Sequence, residues 1–156
     1  MKKIIFAGGC FWGVEKFFSI IPGVKETEVG YANGNIEYPS YNDVCHGNTN
    51  FAEACLVVYD EQEVSLDTLL DKFWSIIDPT SVNRQGNDVG SQYRSGIYYI
   101  YDEDLSTIIM SKRKIETLYK NNVVTEVKRL ENYYKAEEEH QKYLDKNPNG
   151  YCHIKF

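Results

Sequence analysis

Residues 3–21 read KIIFAGGCFWGVEKFFSII and predict a strand, a glycine turn and a helix in immediate succession. The apolar run 3–7 is typical of a buried strand, and the Gly-Gly pair after it permits a tight turn. A helix is predicted over 11–21, and a Pro-Gly pair ends it. Its inward side is formed by Val14, Phe17, Phe18 and Ile21. The segment therefore places Cys10 between a strand and the first turn of a helix.

The rest of the chain continues this alternation of strands and helices. Further strands are predicted at 24–32, 51–59, 93–101 and 125–130, and helices at 66–77, 102–120 and 136–144. Alternation in the second of these strands turns Ala52, Ala54, Leu56 and Val58 one way and Glu53, Cys55 and Val57 the other. The order predicts an α+β plait of two layers, with helices on one side of an antiparallel-rich sheet. A doubly wound parallel sheet is the alternative, and the long loops at 36–50 and 78–92 favour the plait.

Composition restricts the number of domains and the partners. With 156 residues the chain is long enough for one domain, which we expect to span 1–156. Apolar residues make up 42% and charged residues 26%, as in globular proteins. The net charge of -6 gives no general attraction to nucleic acid or to an anionic membrane, so we expect neither partner. Because no export or lipidation signal is recognisable, we expect a cytoplasmic protein.

The cysteines are Cys10, Cys45, Cys55 and Cys152. They form no CxxC pair, which excludes the common zinc-ribbon and thioredoxin-type spacings. The positive end of a helix would favour a reactive thiolate at Cys10, and the alternative is an inert thiol packed in a turn. Cys152 is either a resolving thiol on a mobile tail or an exposed unpaired thiol. We expect Cys45 and Cys55 to be packing residues. A metal site built from Cys45-His46 and Cys152-His153 is a weak alternative, because adjacent ligands are not the standard spacing.

One carboxyl group and two hydroxyl groups are candidates for proton transfer. Glu53 lies near the start of its strand between apolar neighbours, where burial would raise its pKa; an exposed strand face is the alternative. Tyr41 and Tyr93 could donate hydrogen bonds to a ligand oxygen, although most of the 13 tyrosines must be packing residues. The loop 83–94 is too polar and too rich in glycine for a core element, and such loops often carry function.

Seven short segments occur in one order along the chain. They are GGCFWG at 8–13, YPSY at 38–41, FAE at 51–53, DPT at 78–80, NRQGNDVGSQYR at 83–94, HQ at 140–141 and GYC at 150–152. Together they resemble the A-type peptide methionine sulfoxide reductases over essentially the whole chain. The first and fifth segments are the most specific. By this resemblance the fold is a ferredoxin-like plait with long loops and an irregular C-terminal tail.

The resemblance implies reduction of methionine sulfoxide, in proteins, in peptides or free. Cys10 would attack the sulfoxide sulfur while a protonated Glu53 gives its proton to the oxygen, to which Tyr41 and Tyr93 donate hydrogen bonds. Methionine would leave, and the sulfenic acid on Cys10 would condense with Cys152 to a disulfide. A thioredoxin-like donor would then reduce that disulfide.

The resemblance also implies a substrate pocket. Phe11 and Trp12 would enclose the methyl group on the sulfur and set the preference for the S epimer. Asp88 would hold hydrogen bonds of the site or of the substrate main chain, and His140 would assist. Family members often have His directly before Ala-Glu, where this chain has Phe51, and some have two recycling cysteines where one is expected here. No metal or organic cofactor is implied, and we expect a monomer.

Two other functions stay open at this point. A redox sensor would form a disulfide between Cys10 and Cys152 with peroxide but would release no methionine. A passive peptide-binding domain would keep full function after Cys10→Ser. The combination of Glu53 and Tyr93 favours the reductase over both.

Overall fold

Strands and helices alternate along the chain nearly as the sequence predicts. The computed structural model describes residues 1–46 and 48–154. Its strands are β1 Lys2–Gly8, β2 Val24–Ala32, β3 Ala52–Tyr59, β4 Arg84–Gln85, β5 Asp88–Val89, β6 Ser95–Tyr99, β7 Glu126–Arg129 and β8 Tyr133–Lys135. Its α-helices are α1 Phe11–Ser19, α2 Tyr41–Cys45, α3 Leu66–Ser75, α4 Leu105–Glu116 and α5 Tyr143–Lys146. Short 3-10 turns lie at Ser91–Tyr93, Asp102–Asp104 and Glu138–His140.

Six of the described strands form one mixed sheet in the order β7-β6-β1-β3-β2-β8. β1 pairs antiparallel with β3 and β6, and β2 pairs antiparallel with β3 and β8. β7 runs parallel to β6. β4 and β5 form a separate antiparallel hairpin in the loop after α3. The fold is thus a mixed α/β architecture with an antiparallel-rich sheet, and the alternative of a doubly wound parallel sheet is wrong.

Helices α1, α3 and α4 pack on one face of the sheet and form the main core with it. At its centre Phe6 of β1 stacks on Phe18 of α1, with ring centroids 4.6 Å apart, and on Phe73 of α3 at 4.9 Å. In β3 the alternation is as predicted: Cys55 and Val57 face the helices, and the alanines face the other way. This core fixes the ends of β1 and β3, from which the side chains of the candidate site project.

Polar side chains begin two of the helices. The Ser65 hydroxyl accepts the Thr68 N–H at 3.1 Å and starts α3 where the sequence predicts it. The segment 36–50, predicted as a turn-rich loop, contains the short helix α2. It begins with a capping box, in which Ser40 and Asp43 each accept the backbone N–H of the other.

The predicted charged helix over 136–144 is wrong. Strand β8 precedes this segment, a 3-10 turn occupies its middle, and α5 starts only after Lys142, which has a φ of 54°. Tertiary hydrogen bonds override the helix-forming composition. The Gln141 side chain bonds both the N–H and the carbonyl of Val29 on β2, each at 2.9 Å.

In the described part of the chain, each helix is too short or too polar to cross a membrane.

Candidate active site

The turn after β1 holds Cys10 directly before the first turn of α1. Gly9 has a φ of 89°, in the left-handed region that favours glycine. A Cβ atom at Gly9 would also lie 2.9 Å from Cε1 of His153, so both the backbone angle and the lack of space disfavour a side chain at this position. Cys10 is 7% exposed, which places its thiol just beneath the surface.

Glu53 reaches the same helical turn from β3. The Phe11 N–H donates to its Oε1 at 3.2 Å, and its Oε2 is buried without a hydrogen-bond partner. Burial raises the pKa of Glu53 to about 8; the Phe11 N–H opposes this rise and the Asp88 carboxylate adds to it. Glu53 is 1% exposed, so the alternative of an exposed strand face is wrong. At pH 7 it is a neutral acid close to the Cys10 thiol.

The expected thiolate at Cys10 is not the resting form. Burial raises the pKa of Cys10 well above its ordinary value, and the Glu53 and Asp88 carboxylates raise it further. The Trp12 N–H at the helix N-terminus lowers the pKa, but by less than burial raises it. Cys10 therefore rests as a thiol, because burying a thiolate away from water costs more free energy than its interaction with the helix N-terminus provides.

Tyr41 and Tyr93 both lie near Glu53 and are half-buried. Burial raises the pKa of each phenol well above its ordinary value, and the Glu53 carboxylate adds to the rise in both. Both hydroxyls therefore keep their protons and remain hydrogen-bond donors at any physiological pH. Tyr93 lies at the end of a 3-10 turn rather than within the predicted strand, since β6 starts two residues later.

Glu137 positions Tyr41, a role that the sequence does not predict. Its Oε2 accepts the Tyr41 N–H at 2.9 Å, and its Oε1 accepts the Tyr31 hydroxyl at 2.7 Å. These bonds tie the start of α2 to the segment after β8. The signal in the sequence was weak: an acid in a charged run, beside the candidate residue His140.

Aromatic side chains form a wall beside Cys10. Phe11 is buried, with its ring 5.5 Å from that of His140 and 6.3 Å from that of Tyr41. Trp12 is half-buried and stacks on Tyr143 at 3.8 Å. Its Nε1–H donates to Nδ1 of His140 at 3.1 Å, so the His140 proton is on Nε2 in the neutral ring. The wall thus includes His140 and Tyr143 as well as the predicted Phe11 and Trp12.

The C-terminal tail brings Cys152 to the first turn of α1. A Cβ atom at Gly13 would lie 2.5 Å from the Cys152 sulfur, so the glycine at this position makes room for the thiol. The Ile154 N–H donates to that sulfur at 3.3 Å. Both Cys10 and Cys152 are free thiols. The nearby Cys152 adds to the rise in the Cys10 pKa, and the Asp88 carboxylate raises the pKa of both thiols. The two sulfurs therefore share one end of α1, although 141 positions of the chain separate them.

Asp88 contacts the tail as well as the site. Its Oδ2 lies 3.8 Å from Nδ1 of His153. It also acts on the pKa values of Glu53 and Cys10, which places it on the same side of the turn.

The remaining cysteines have different surroundings. Cys55 is fully buried in the main core, away from this cluster. Cys45 is half-buried beside Tyr41, whose hydroxyl opposes the rise that burial causes in the Cys45 pKa. Among the described residues, the potential metal ligands that lie within 4.8 Å of one another are Glu137, Glu139 and His140, so the two Cys-His pairs do not come together. The weak alternative of a Cys/His metal site has no support in this geometry.

Comparison with known proteins identifies the family. The family model described as "Peptide methionine sulfoxide reductase" matches residues 2–156. The chain belongs to this family. It is 68% identical over 155 residues to a peptide methionine sulfoxide reductase of Clostridium perfringens, an alignment that covers 99% of each chain.

Solved structures of the family share the fold. The reduced form of Mxr1 from Saccharomyces cerevisiae is 40% identical, with a TM-score of 0.94 over 99% of this chain and 91% of that chain. Mxr1 in complex with Trx2 is 28% identical in its match, with a TM-score of 0.65 over 91% of this chain and 84% of that chain. Membership of the family confirms the resemblance seen in the sequence.

Proposed function

We propose that this chain is a peptide-methionine (S)-S-oxide reductase in which Cys10 is the nucleophile and Glu53 the acid. One observation carries the proposal: a buried carboxyl group with a raised pKa, Glu53, accepts the N–H of Phe11, the residue that directly follows the Cys10 thiol. Cleavage of a sulfoxide S–O bond needs a proton on the oxygen and a nucleophile on the sulfur. Glu53 on β3 and Cys10 before α1 supply them at the N-terminus of α1.

The first step transfers oxygen from the substrate to Cys10. Glu53 protonates the sulfoxide oxygen, and Tyr41 and Tyr93 donate hydrogen bonds to it. The Cys10 sulfur attacks the sulfoxide sulfur, the oxygen passes to Cys10, and the thiol proton of Cys10 restores the acid form of Glu53. Methionine leaves with its sulfur reduced by two electrons, and Cys10 becomes a sulfenic acid.

The aromatic residues beside Cys10 supply the epimer selection in this proposal. Phe11 and Trp12, which directly follow Cys10, form the apolar pocket for the methyl group on the sulfur. The polar donors Tyr41 and Tyr93 take the oxygen. With the methyl group and the oxygen on fixed sides, the two epimers differ in the direction of the lone pair and of the remaining carbon chain, so only one of them fits with its sulfur at Cys10. Membership of the family supports the S epimer as the one reduced.

Cys152 resolves the sulfenic acid, and a thioredoxin-like protein reduces the resulting disulfide. The position of the Cys152 sulfur above Gly13 supports the first role. The complex of the yeast relative with Trx2 supports the second. Asp88 and His140 complete the substrate site.

The whole-chain features follow the same proposal. Residues 1–156 form a single catalytic domain that acts as a cytoplasmic monomer without metal or organic cofactor. The four inner strands β6-β1-β3-β2 are antiparallel to one another, and together with α1 and α3 they support the finer description of a ferredoxin-like plait.

A trapping experiment tests these roles. Cys152→Ser protein is mixed with methionine-S-sulfoxide in the presence of dimedone, and adducts are located by peptide mass spectrometry. We expect methionine and a dimedone adduct on Cys10, with neither product when Cys10→Ser is added to the variant. The R epimer is the substrate control and should give no product. An adduct formed with peroxide but not with the sulfoxide would favour the redox sensor instead.

A further inference from the structure

His153, the residue after Cys152, is seated in the glycine turn that precedes Cys10. Its side chain is 6% exposed, and its Nε2 lies 3.1 Å from the carbonyl oxygen of Gly8. Because a carbonyl oxygen can only accept, Nε2 carries the proton and donates. The imidazole also fills the space above Gly9, where a Cβ atom would be 3.0 Å from Nε2.

The other edge of the ring faces the β4–β5 hairpin. Nδ1 of His153 lies 3.8 Å from Oδ2 of Asp88, and neither atom has a hydrogen-bond partner. A Cβ atom at Gly86, the turn of this hairpin, would lie 3.4 Å from Cβ of His153. Burial lowers the pKa of His153 and raises the pKa of Asp88, and in each case the partner's charge opposes the effect of burial. The imidazole is therefore held by its hydrogen bond to the Gly8 carbonyl and by close packing between the glycine turn before Cys10 and the β4–β5 hairpin.

We propose that His153 is a positioning residue for the resolving step, because its seat on the Gly8 carbonyl fixes the adjacent Cys152 over the first turn of α1. The inference rests on the proposed role of Cys152 and deepens it. In the described tail, the hydrogen bond from the Ile154 N–H to this thiol is made within the tail itself, whereas the His153 contact reaches the turn before Cys10. Without the imidazole, the described tail keeps Ile154 packed on the core but loses its polar contact with the turn before Cys10.

The step that depends on the position of His153 is the condensation of Cys152 with the sulfenic acid of Cys10. The Cys152 sulfur attacks the sulfur of the Cys10 sulfenic acid, an S–S bond forms and the S–O bond breaks. The thiol proton of Cys152 leaves with the hydroxide as water. The Cys152 sulfur is oxidised and the Cys10 sulfur is reduced, so the step needs no further reactant. Its rate depends on how often the two sulfurs meet in line, and therefore on how firmly the tail is held.

Three substitutions of His153 separate the contacts of its two ring nitrogens. His153→Ala removes both the hydrogen bond of Nε2 to Gly8 and the approach of Nδ1 to Asp88, and we expect disulfide formation to slow by about tenfold or more. His153→Gln keeps a donor near the position of Nε2 and should restore most of the rate. His153→Asn keeps a polar atom only near the position of Nδ1 and should not. Asn149→Ala, at an exposed position of the same tail, is the matched control and should match the wild type.

The experiment is a single turnover followed by acid quenching. Reduced protein is mixed with excess methionine-S-sulfoxide without any reductant, and both methionine and the Cys10–Cys152 disulfide are quantified over time. We expect His153→Ala to form methionine at the wild-type rate and the disulfide slowly. Equal disulfide rates in His153→Ala and wild type would overturn the inference, as would a parallel fall of both steps, which would assign His153 to the catalytic turn itself. Failure of the wild type to form the disulfide would instead reject Cys152 as the resolving residue, so the two failures are distinguishable.

Discussion

Glu53→Gln should stabilise the protein at alkaline pH while it removes the catalytic acid. Glutamine has the shape of the neutral acid and keeps an oxygen for the Phe11 N–H. The wild-type side chain has to stay protonated in the folded state or place a charge in the core. A buried group whose pKa is raised by folding stabilises the folded state below its unfolded pKa, and this contribution is lost as the pH rises through the folded pKa. The variant has no ionisable group at this position, so its free energy of unfolding does not fall for this reason as the pH rises.

The size of the effect follows from the two pKa values of Glu53. The pKa rises from 4.5 to about 8 on folding. Since one pKa unit corresponds to about 1.4 kcal/mol, the free energy of unfolding of the wild type falls by about 5 kcal/mol relative to the variant between low and high pH. About 3 kcal/mol of this difference lies between pH 5.5 and pH 9, the convenient range for the measurement.

Urea denaturation of both proteins across that range, with a thiol reductant present, measures the effect. The quantity of interest is the difference between the two free energies of unfolding at each pH, because all other titrating groups cancel in it. Glu61→Gln, at an exposed position, is the matched control and should give a flat difference. A flat difference for Glu53→Gln as well would contradict the raised pKa, since Glu53 would then be ionised at neutral pH and could not act as an acid.

The other predictions concern the rates of the two chemical steps. Glu53→Gln should slow methionine formation by roughly 10²- to 10⁴-fold, because the amide cannot protonate the sulfoxide oxygen; single-turnover methionine release checks this. Tyr93→Phe removes one donor to the same oxygen and should slow the same step by about 10²-fold, measured in the same assay. Gly13→Ala would place a Cβ atom 2.5 Å from the Cys152 sulfur, so we expect slower disulfide formation with unchanged methionine release.

Each of these results has a clear opposite. Unchanged methionine release at pH 7 in Glu53→Gln would end the assignment of that acid. Full activity of Tyr93→Phe would show that its hydroxyl does not meet the oxygen. Rapid disulfide formation in Gly13→Ala would show that Cys152 approaches Cys10 by a route that does not pass over the first turn of α1.

The sequence was sufficient where local patterns determine the structure. The glycine pair after an apolar run predicted the turn that presents Cys10, and the alternation in β3 placed Glu53 on the same face as Cys55 and Val57, which face the helices. The burial of Glu53 could not be read from that pattern with certainty, because it depends on how α1 crosses β3. That crossing is a tertiary contact between positions 42 residues apart.

Other features depend on competition between local and long-range forces. The charged run after Lys135 has the composition of a helix, yet the bonds of Glu137 to Tyr31 and Tyr41 hold it in an irregular path. The helix terminus at Cys10 favours a thiolate, yet burial outweighs it. The seat of His153 joins positions 145 residues apart and leaves no periodic signal in the sequence.

Cys10 as the oxygen acceptor and Cys152 as the resolving thiol can be tested in one anaerobic measurement. Fully reduced protein is mixed with excess methionine-S-sulfoxide and no reductant, methionine is counted per chain, and lost thiols are mapped to peptides. We expect methionine in proportion to protein, with Cys10 and Cys152 joined in a disulfide and with Cys45 and Cys55 still free. No methionine, with Cys10 still a free thiol, would contradict it.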